Sequence, residues 1–249
     1  MSATKIKVAT YNVGDFSGKD VKAGSEESRK IYRELFKKVG ADIYFLQEDY
    51  RYFNEEAKEY AFDAVYSGIH PNYQRYFTWA PNGKAFLTHL ELSDVHHIDY
   101  VGNEKFRHPW YLVGKINVGG KQITLINLHF DWYDKNVRAV EIDQVIDFAK
   151  TQKYCIIAGD FNPSNRINEE VVGPNPMHEV DFAKFREAGF AMANCGEFGV
   201  FHTIMDALTG AWPYDNIMVP STIKITSAER VAEPWMNDHA LVWAELEIN

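Results

Sequence analysis

The chain has 249 residues, 46% of them hydrophobic and 24% charged, a composition that fits an ordinary globular protein long enough to bury a sizeable core. Its formal net charge is −9 and its basic residues are scattered, which argues against a tight, non-catalytic nucleic-acid binder held by a basic stripe. The N-terminus lacks the apolar region of a signal peptide, no stretch approaches a bilayer-spanning length, and neither internal repeats nor low-complexity tracts appear. One compact domain over residues 1–249, cytoplasmic and without a membrane span, is the expectation.

Alternation sets the first element, with Ile6, Val8, Thr10 and Asn12 on one face of a strand over residues 5 to 12. Ser25 reads as a helix N-cap, with Glu26 and Glu27 in the first turn, Ile31, Leu35 and Val39 as the buried stripe and Gly40 at the end. A short apolar strand, Asp42 to Gln47, then delivers Glu48 at its C-terminal end. The middle third carries β-rich segments at Tyr76–Trp79, Lys84–Leu90, His97–Val101, Trp110–Asn117 and Gln122–His129. Turn signals at Pro81-Asn82-Gly83 and Gly119-Gly120 separate them, and the second suits a tight hairpin. A helix is predicted over Lys135–Lys150, with Ile142, Val145, Ile146 and Ala149 inward. Tyr154–Ala158 reads as a central strand buried on both faces. Phe182, Phe185 and Ala188 mark another helix, and the last strands fall near Tyr214–Val219, Ile223–Ser227 and Ala240–Glu245. Runs of strands broken by a few helices predict a layered α/β domain with large antiparallel sheets.

Polar residues gather at the ends of these strands. Asn12, Glu48, His129, Asp160 with Asn162, and Asp238 with His239 all lie at or just past an apolar strand, or just before the next. In Gly159-Asp160-Phe161-Asn162-Pro163 the glycine permits a tight turn, and Asp160 and Asn162 project to one side. The carboxylate can take a proton from water and the amide can donate to a phosphoryl oxygen. An Asx-type turn that only caps the loop explains the same residues. His239 could stabilise charge on phosphate, with Asp215 fixing its ring and Asp238 facing a metal, and a half-buried loop histidine is the bland alternative. Glu48 offers the hard oxygen that Mg²⁺ takes, although a lone glutamate at a strand end is more often solvated. His129 shares its face with Asn127 and Leu125, so taken alone it reads by default as a satisfied core-edge histidine. Cys155 and Cys195 lack metal-ligand or redox spacing and read as inert thiols.

Six motifs occur in order: Thr10-Tyr11-Asn12-Val13, Gln47-Glu48, Asn127-Leu128-His129-Phe130-Asp131, Gly159-Asp160-Phe161-Asn162, Tyr214-Asp215-Asn216-Ile217 and Asn237-Asp238-His239-Ala240-Leu241-Val242. Together they resemble those of the endonuclease/exonuclease/phosphatase superfamily, and they run from residue 5 to residue 246. Arg138, spaced after His129 like an arginine common in these proteins, adds minor support. The resemblance implies a four-layered α/β sandwich, two mainly antiparallel sheets packed face to face with helices outside. It implies Mg²⁺ (or Mn²⁺) held by Glu48 with Asn12 and Asp238. It also implies a water oriented by Asp160 and Asn162, and phosphoryl contacts from His129 and from His239 oriented by Asp215.

The sequence departs from that pattern in two places. Gly83-Lys84-Ala85-Phe86-Leu87-Thr88-His89 has no acid to support His129, and Trp212-Pro213-Tyr214 replaces an arginine-isoleucine pair. His202 falls where related proteins place a substrate-side residue, and a structural histidine fits as well. Trp132, Tyr133, Trp212, Tyr214 and Trp235 could stack on bases or pack in the core. The expected function is metal-dependent phosphoester hydrolysis, first as a phosphodiesterase or nuclease. The alternatives are a hydrolase of a small or lipid-derived phosphoester (inositol-phosphate or sphingomyelin type) and a catalytically silent binding module. The expected partner is a phosphoester substrate, nucleic acid among the candidates, and no obligate protein partner is evident.

Overall fold

The computed structural model describes residues 3–14, 25–49, 53–54, 59–60, 74–77, 83–102, 106–163, 177–206, 210–231 and 237–248. The chain begins with β1 (Thr4–Asn12), α1 (Glu26–Val39), β2 (Ile43–Gln47), β3 (Phe53–Asn54), β4 (Glu59–Tyr60), β5 (Gln74–Phe77) and β6 (Lys84–Thr88). It continues with β7 (Leu92–Asp99), β8 (Trp110–Val118), β9 (Lys121–His129), α2 (Lys135–Lys150), β10 (Cys155–Asp160) and α3 (Met177–Glu187). The last elements are β11 (Phe190–Met192), β12 (Ile204–Asp206), β13 (Gly210–Trp212), β14 (Asp215–Pro220), β15 (Ile223–Val231) and β16 (Leu241–Ile248).

Two six-stranded sheets result, in the orders β15-β16-β1-β2-β6-β5 and β11-β14-β10-β9-β8-β7, with β3–β4 and β12–β13 as separate ribbons. Each large sheet is antiparallel except for one central parallel pair, β1 with β2 and β9 with β10. The alternation read in β1 continues across both sheets. Ile6 and Val8, Ile43 and Phe45, Leu125, Ile156 and Ala158, Ile217 and Val219, and Val242 and Ala244 face inward and form one cluster between the sheets. The opposite faces are covered by helices. Tyr32, Leu35, Phe36 and Val39 of α1 pack on Tyr11, Tyr44 and Leu46. Ile142, Val145 and Ile146 of α2, with Phe182 and Phe185 of α3, pack on Ile126, Leu128 and Ile157. Each large side chain buried this way contributes about 1.5–3 kcal/mol before entropy is counted. The four layers are helix, sheet, sheet, helices, as the resemblance implies.

Local chemistry explains the boundaries. Ser25 Oγ accepts from the Ser28 N–H at 3.2 Å, and α1 ends at Gly40. Its buried stripe is Ser28, Tyr32, Leu35, Phe36 and Val39, which includes the predicted Leu35 and Val39 but not Ile31. Ile31 lies at the margin of that stripe, because Tyr32 and Phe36 bring larger rings to the sheet. Gly119 and Gly120, at φ 59° and 77°, make the two-residue turn between β8 and β9 that requires positive φ at both positions. Edge strand β7 starts at Leu92, earlier than the predicted His97. Its mostly exposed residues and a bulge between Ser93 and His96 hide the alternation there. The predicted strand at Tyr76–Trp79 appears as β5, while Trp79, Pro81, Asn82, most of the Pro163–Met177 loop and Trp235 lie outside the described residues, as does the side chain of Trp212. Among the described residues no helix is long and apolar enough to cross a membrane.

Both parallel pairs finish at the same end of the sandwich. Asn12 lies opposite Gln47 in the first sheet, and Asp160 lies opposite His129 in the second. On its other side Asp160 pairs with Asp215, the first residue of β14. The inward faces therefore turn from apolar to polar over the last residues of four neighbouring strands, at Thr10 and Asn12, Gln47, Asn127 and His129, and Asp160. A cross-sheet clamp marks the change: Gln47 Nε2 donates to Asn127 Oδ1 at 2.8 Å, and Asn127 Nδ2 donates to the Leu46 and Ala85 carbonyls at 3.0 and 2.9 Å. These bonds satisfy amides that would otherwise be costly to bury, and they tie the two sheets in one register.

Candidate active site

The site centres on Asp160. The carboxylate is 1% exposed, and its Oδ2 receives the Asn12 amide at 3.1 Å and faces His129 Nε2 at 3.4 Å and His239 Nε2 at 3.5 Å. Its other oxygen accepts the Asn162 N–H at 3.0 Å, which is the Asx-type turn, so that turn and the convergent site exist together. Gly159 makes the approach possible, since a Cβ there would lie 2.1 Å from the Leu128 carbonyl oxygen. Asn162 sends its side-chain amide to the Phe130 carbonyl at 3.1 Å and takes φ 41°, a left-handed backbone unusual outside glycine. Glu48, at φ 51°, is strained in the same sense at the end of β2. Two such residues flanking one site show a backbone held by its surroundings.

His239 is oriented from both sides. Its Nδ1 lies 2.9 Å from Asp215 Oδ2, and its backbone N–H donates to Asn237 Oδ1 at 2.8 Å. Asn237 Nδ2 in turn donates to the Asn12 carbonyl at 2.9 Å, linking the approach to β16 with the end of β1. Burial alone would lower the His239 imidazole, but the Asp215 and Asp160 carboxylates outweigh it and raise it to about 10. Burial pushes the Asp160 carboxyl up, with Asp215 adding and His239, Asn12 and the Asn162 N–H opposing, to about 7. His129 goes the other way: burial, reinforced by His108, Lys84 and His239, holds it well below its ordinary range and therefore neutral.

Glu48 is the half-exposed carboxylate at the mouth, with Oε1 3.1 Å from the Asn12 amide nitrogen and 3.9 Å from His129 Nε2. Asp238, half-exposed by its side chain, approaches His239 Nε2 at 4.0 Å. Three carboxylates, Asp160, Asp215 and Asp238, thus approach the His239 imidazolium, and a fourth, Glu48, stands beside neutral His129. That excess of hard oxygen donors fits a divalent cation such as Mg²⁺ or Mn²⁺. Asp160, Asp215 and His239 also bring ligand atoms within 4.8 Å of one another. His239 is committed there to Asp215 and carries the charge, so the carboxylates rather than its ring are the fitting donors. Asn12 turns its amide oxygen to the Gly14 N–H at 3.0 Å and its nitrogen to Glu48 and Asp160, so in this arrangement it bridges the two acids.

The other sequence candidates are held in other ways. Arg138 is fully buried on α2, where it binds Asp181 at 2.7 Å and the Asp131 carbonyl at 3.0 Å. His202 is exposed, and Tyr214 is wholly buried. Trp132 and Tyr133, just beyond His129, hold the Arg107 guanidinium 4.9 and 4.8 Å from their rings. Cys155 is buried, and burial raises its thiol to about 12, as suits an inert thiol. Sequence reasoning assigned no role to Asn237, Gln47 or Asn127, and it missed His108, whose ring stacks on His129. The Asn237-Asp238-His239 motif contained a signal for the first, whereas nothing local to Arg107-His108-Pro109 points toward His129.

No protein-family model and no curated protein sequence matches the chain. Solved structures do. An endonuclease/exonuclease/phosphatase from Beutenbergia cavernae superposes with a TM-score of 0.74 at 11% identity, covering 99% of this chain and 72% of that one. A humanized TDP2 from D. rerio gives 0.66 at 13% identity, covering 97% and 98% of the two chains. A 3′ phosphatase, NExo, from Neisseria, bound to product DNA hairpin, gives 0.62 at 15% identity, covering 96% and 98%. With the sheet order and the convergence at Asp160, these likenesses establish that the chain has the endonuclease/exonuclease/phosphatase fold.

Proposed function

We propose that the chain, acting as one catalytic domain, is a divalent-metal-dependent phosphoester hydrolase. Its most favoured activity is that of a phosphodiesterase or nuclease working by in-line attack of water. The observation that carries this reading is Asp160 Oδ2, buried and within 3.5 Å of Asn12 Nδ2, His129 Nε2 and His239 Nε2. A carboxyl raised to about 7 is matched to accepting a proton from water near neutral pH. His239, charged and fixed by Asp215, donates from Nε2 to a phosphoryl oxygen as negative charge grows there. Neutral His129 contributes a second contact, and Asn162 steadies the loop that carries the water. Glu48 would hold the cation, with Asp238 and Asn12 nearby, and the cation would neutralise charge on the phosphoryl oxygens.

The net charge of −9 favours a second reading, a small or lipid-derived phosphoester, because a long polyanion is repelled away from the site itself. Purified protein with Mg²⁺ or Mn²⁺ is to be assayed on plasmid DNA, RNA, a phosphodiester and a phosphomonoester chromogen, and sphingomyelin. Metal-dependent turnover abolished by Asp160→Ala is the expected result. Absence of turnover on every substrate, or activity that survives Asp160→Ala, defeats the proposal. DNA cleavage that falls steeply with salt separates a nuclease from an enzyme of small esters.

A further inference from the structure

The two site histidines are held by different means. His239 has a carboxylate on Nδ1, whereas His129 Nδ1 is buried with no hydrogen-bond partner among the described residues. An imidazole that must meet a phosphoryl oxygen needs a fixed ring plane, and a bond to its far nitrogen is the usual means. What lies against His129 is another imidazole. His108 stacks on it with ring centroids 3.7 Å apart and planes 20° from parallel.

Hydrogen bonding among the described residues does not account for that histidine. His108 is 6% exposed, and among the described residues neither of its ring nitrogens has a hydrogen-bond partner, an arrangement that is costly for a buried polar group. It is nevertheless held firmly in place. The flanking turn is fixed by the Tyr100 N–H on the Pro109 carbonyl at 2.9 Å, and Lys84 Nζ sits 4.0 Å over the ring of Trp110. Strand β8 runs antiparallel to β9 with Leu112 opposite Asn127, so the segment entering β8 passes over the end of β9 where His129 stands. Burial, with Lys84 and Arg107 adding, lowers His108 to about 3, and a neutral ring can lie flat on its neighbour without repelling charge there.

We infer that His108 is a positioning residue for His129, fixing its ring plane by face-to-face stacking and so keeping Nε2 turned toward Glu48 and Asp160. The consequence for turnover rests on the phosphoester-hydrolase reading, while the stacking itself does not. His108→Leu fills the volume without a ring, and His108→Phe keeps one. In NMR spectra of histidine-labelled protein, with the His129 signal identified by its loss in His129→Gln, ring-current shielding of the His129 Cε1 proton is expected in the parent and in His108→Phe. It should vanish in His108→Leu. On whichever phosphoester the parent turns over, His108→Leu is expected to lower kcat about 10- to 100-fold with little change in KM, and His108→Phe to restore most of it. Shielding that persists in His108→Leu, or a His108→Phe protein as slow as His108→Leu, overturns the inference. If no phosphoester is turned over, the functional reading fails and the spectra alone decide the stack.

Discussion

Asp215 reaches across from the second sheet to take Nδ1 of His239 at 2.9 Å, a bond that joins the start of β14 to the approach of β16. Asp215 is itself fixed by its backbone N–H on Thr203 Oγ1 at 2.9 Å, so the histidine is oriented by a residue that cannot readily move. The pair makes the histidine a permanent cation at neutral pH, and that charge is what a phosphoryl oxygen would meet.

Asp215→Asn keeps the shape and removes the charge. Its expected effect is a kcat lower by about 10- to 100-fold with KM little changed, by analogy with other orienting partners. Because the carboxylate raises His239, its loss lowers the imidazole, and the alkaline limb of the pH–rate profile should move to lower pH. A pH–rate series on both proteins checks this, and an unmoved alkaline limb would refute the assignment of the charge to His239.

Glu141 gives a stability effect remote from catalysis. Its carboxyl is buried on α2 and accepts the Asp131 N–H at 2.7 Å, yet burial raises it to about 8 from an ordinary value of 4.5. A folded-state value above the unfolded one means that its contribution is fully present below pH 4.5 and is lost as pH rises through about 8. Lys84, lowered to about 7 by burial, runs the opposite way, contributing above its ordinary value and losing that contribution as pH falls through 7. The test is therefore a difference. Glu141→Gln keeps an acceptor for Asp131 and does not ionise, so its melting temperature should gain on the parent between pH 5 and pH 8.5. A constant difference across that range would count against a buried, titrating Glu141.

Gly159 tests the close approach of the central strands. Ala at this position places its Cβ against the Leu128 carbonyl, a backbone atom that cannot rotate away. The expected loss is about 3 kcal/mol or more, measured by urea unfolding. A loss under about 1 kcal/mol would mean that β9 and β10 can separate without cost.

Much of this architecture is legible in the sequence, for identifiable reasons. Strand faces follow from alternation because both sheets bury an inner face, and Asn12, His129 and Asp160 keep in step with the apolar residues before them. The helix over Lys135–Lys150 emerges with those bounds because its apolar positions repeat at helical spacing and Asp134 caps it. Edge strand β7 and the short strands β11, β12 and β13 are poorly marked, since exposure or brevity removes the periodic signal. Within the site, residues at strand ends could be named, whereas their contacts could not. Whether Asn12 offers an oxygen or a nitrogen depends on Gly14, and what supports His129 depends on a loop 21 residues earlier, since His108 and His129 are neighbours only in three dimensions. Such pairings are set by topology, and no local pattern encodes them.

The metal assignment leads to a graded expectation for two acids. Glu48 stands at the mouth, bonded to Asn12 and close to His129, and its backbone is held in a left-handed conformation that turns the side chain inward. Asp238 is more exposed, and its carboxylate approaches His239 Nε2 at 4.0 Å. Glu48→Gln preserves the Asn12 contact while removing the charge, and should weaken Mn²⁺ binding by about 10- to 100-fold. Asp238→Asn should weaken it less, because an exposed carboxylate is already screened by solvent. Water-proton relaxation during Mn²⁺ titration reads both without any substrate. Equal losses in the two variants would put the cation between Glu48 and Asp238, and an undiminished affinity in Glu48→Gln would move it to the buried carboxylates Asp160 and Asp215.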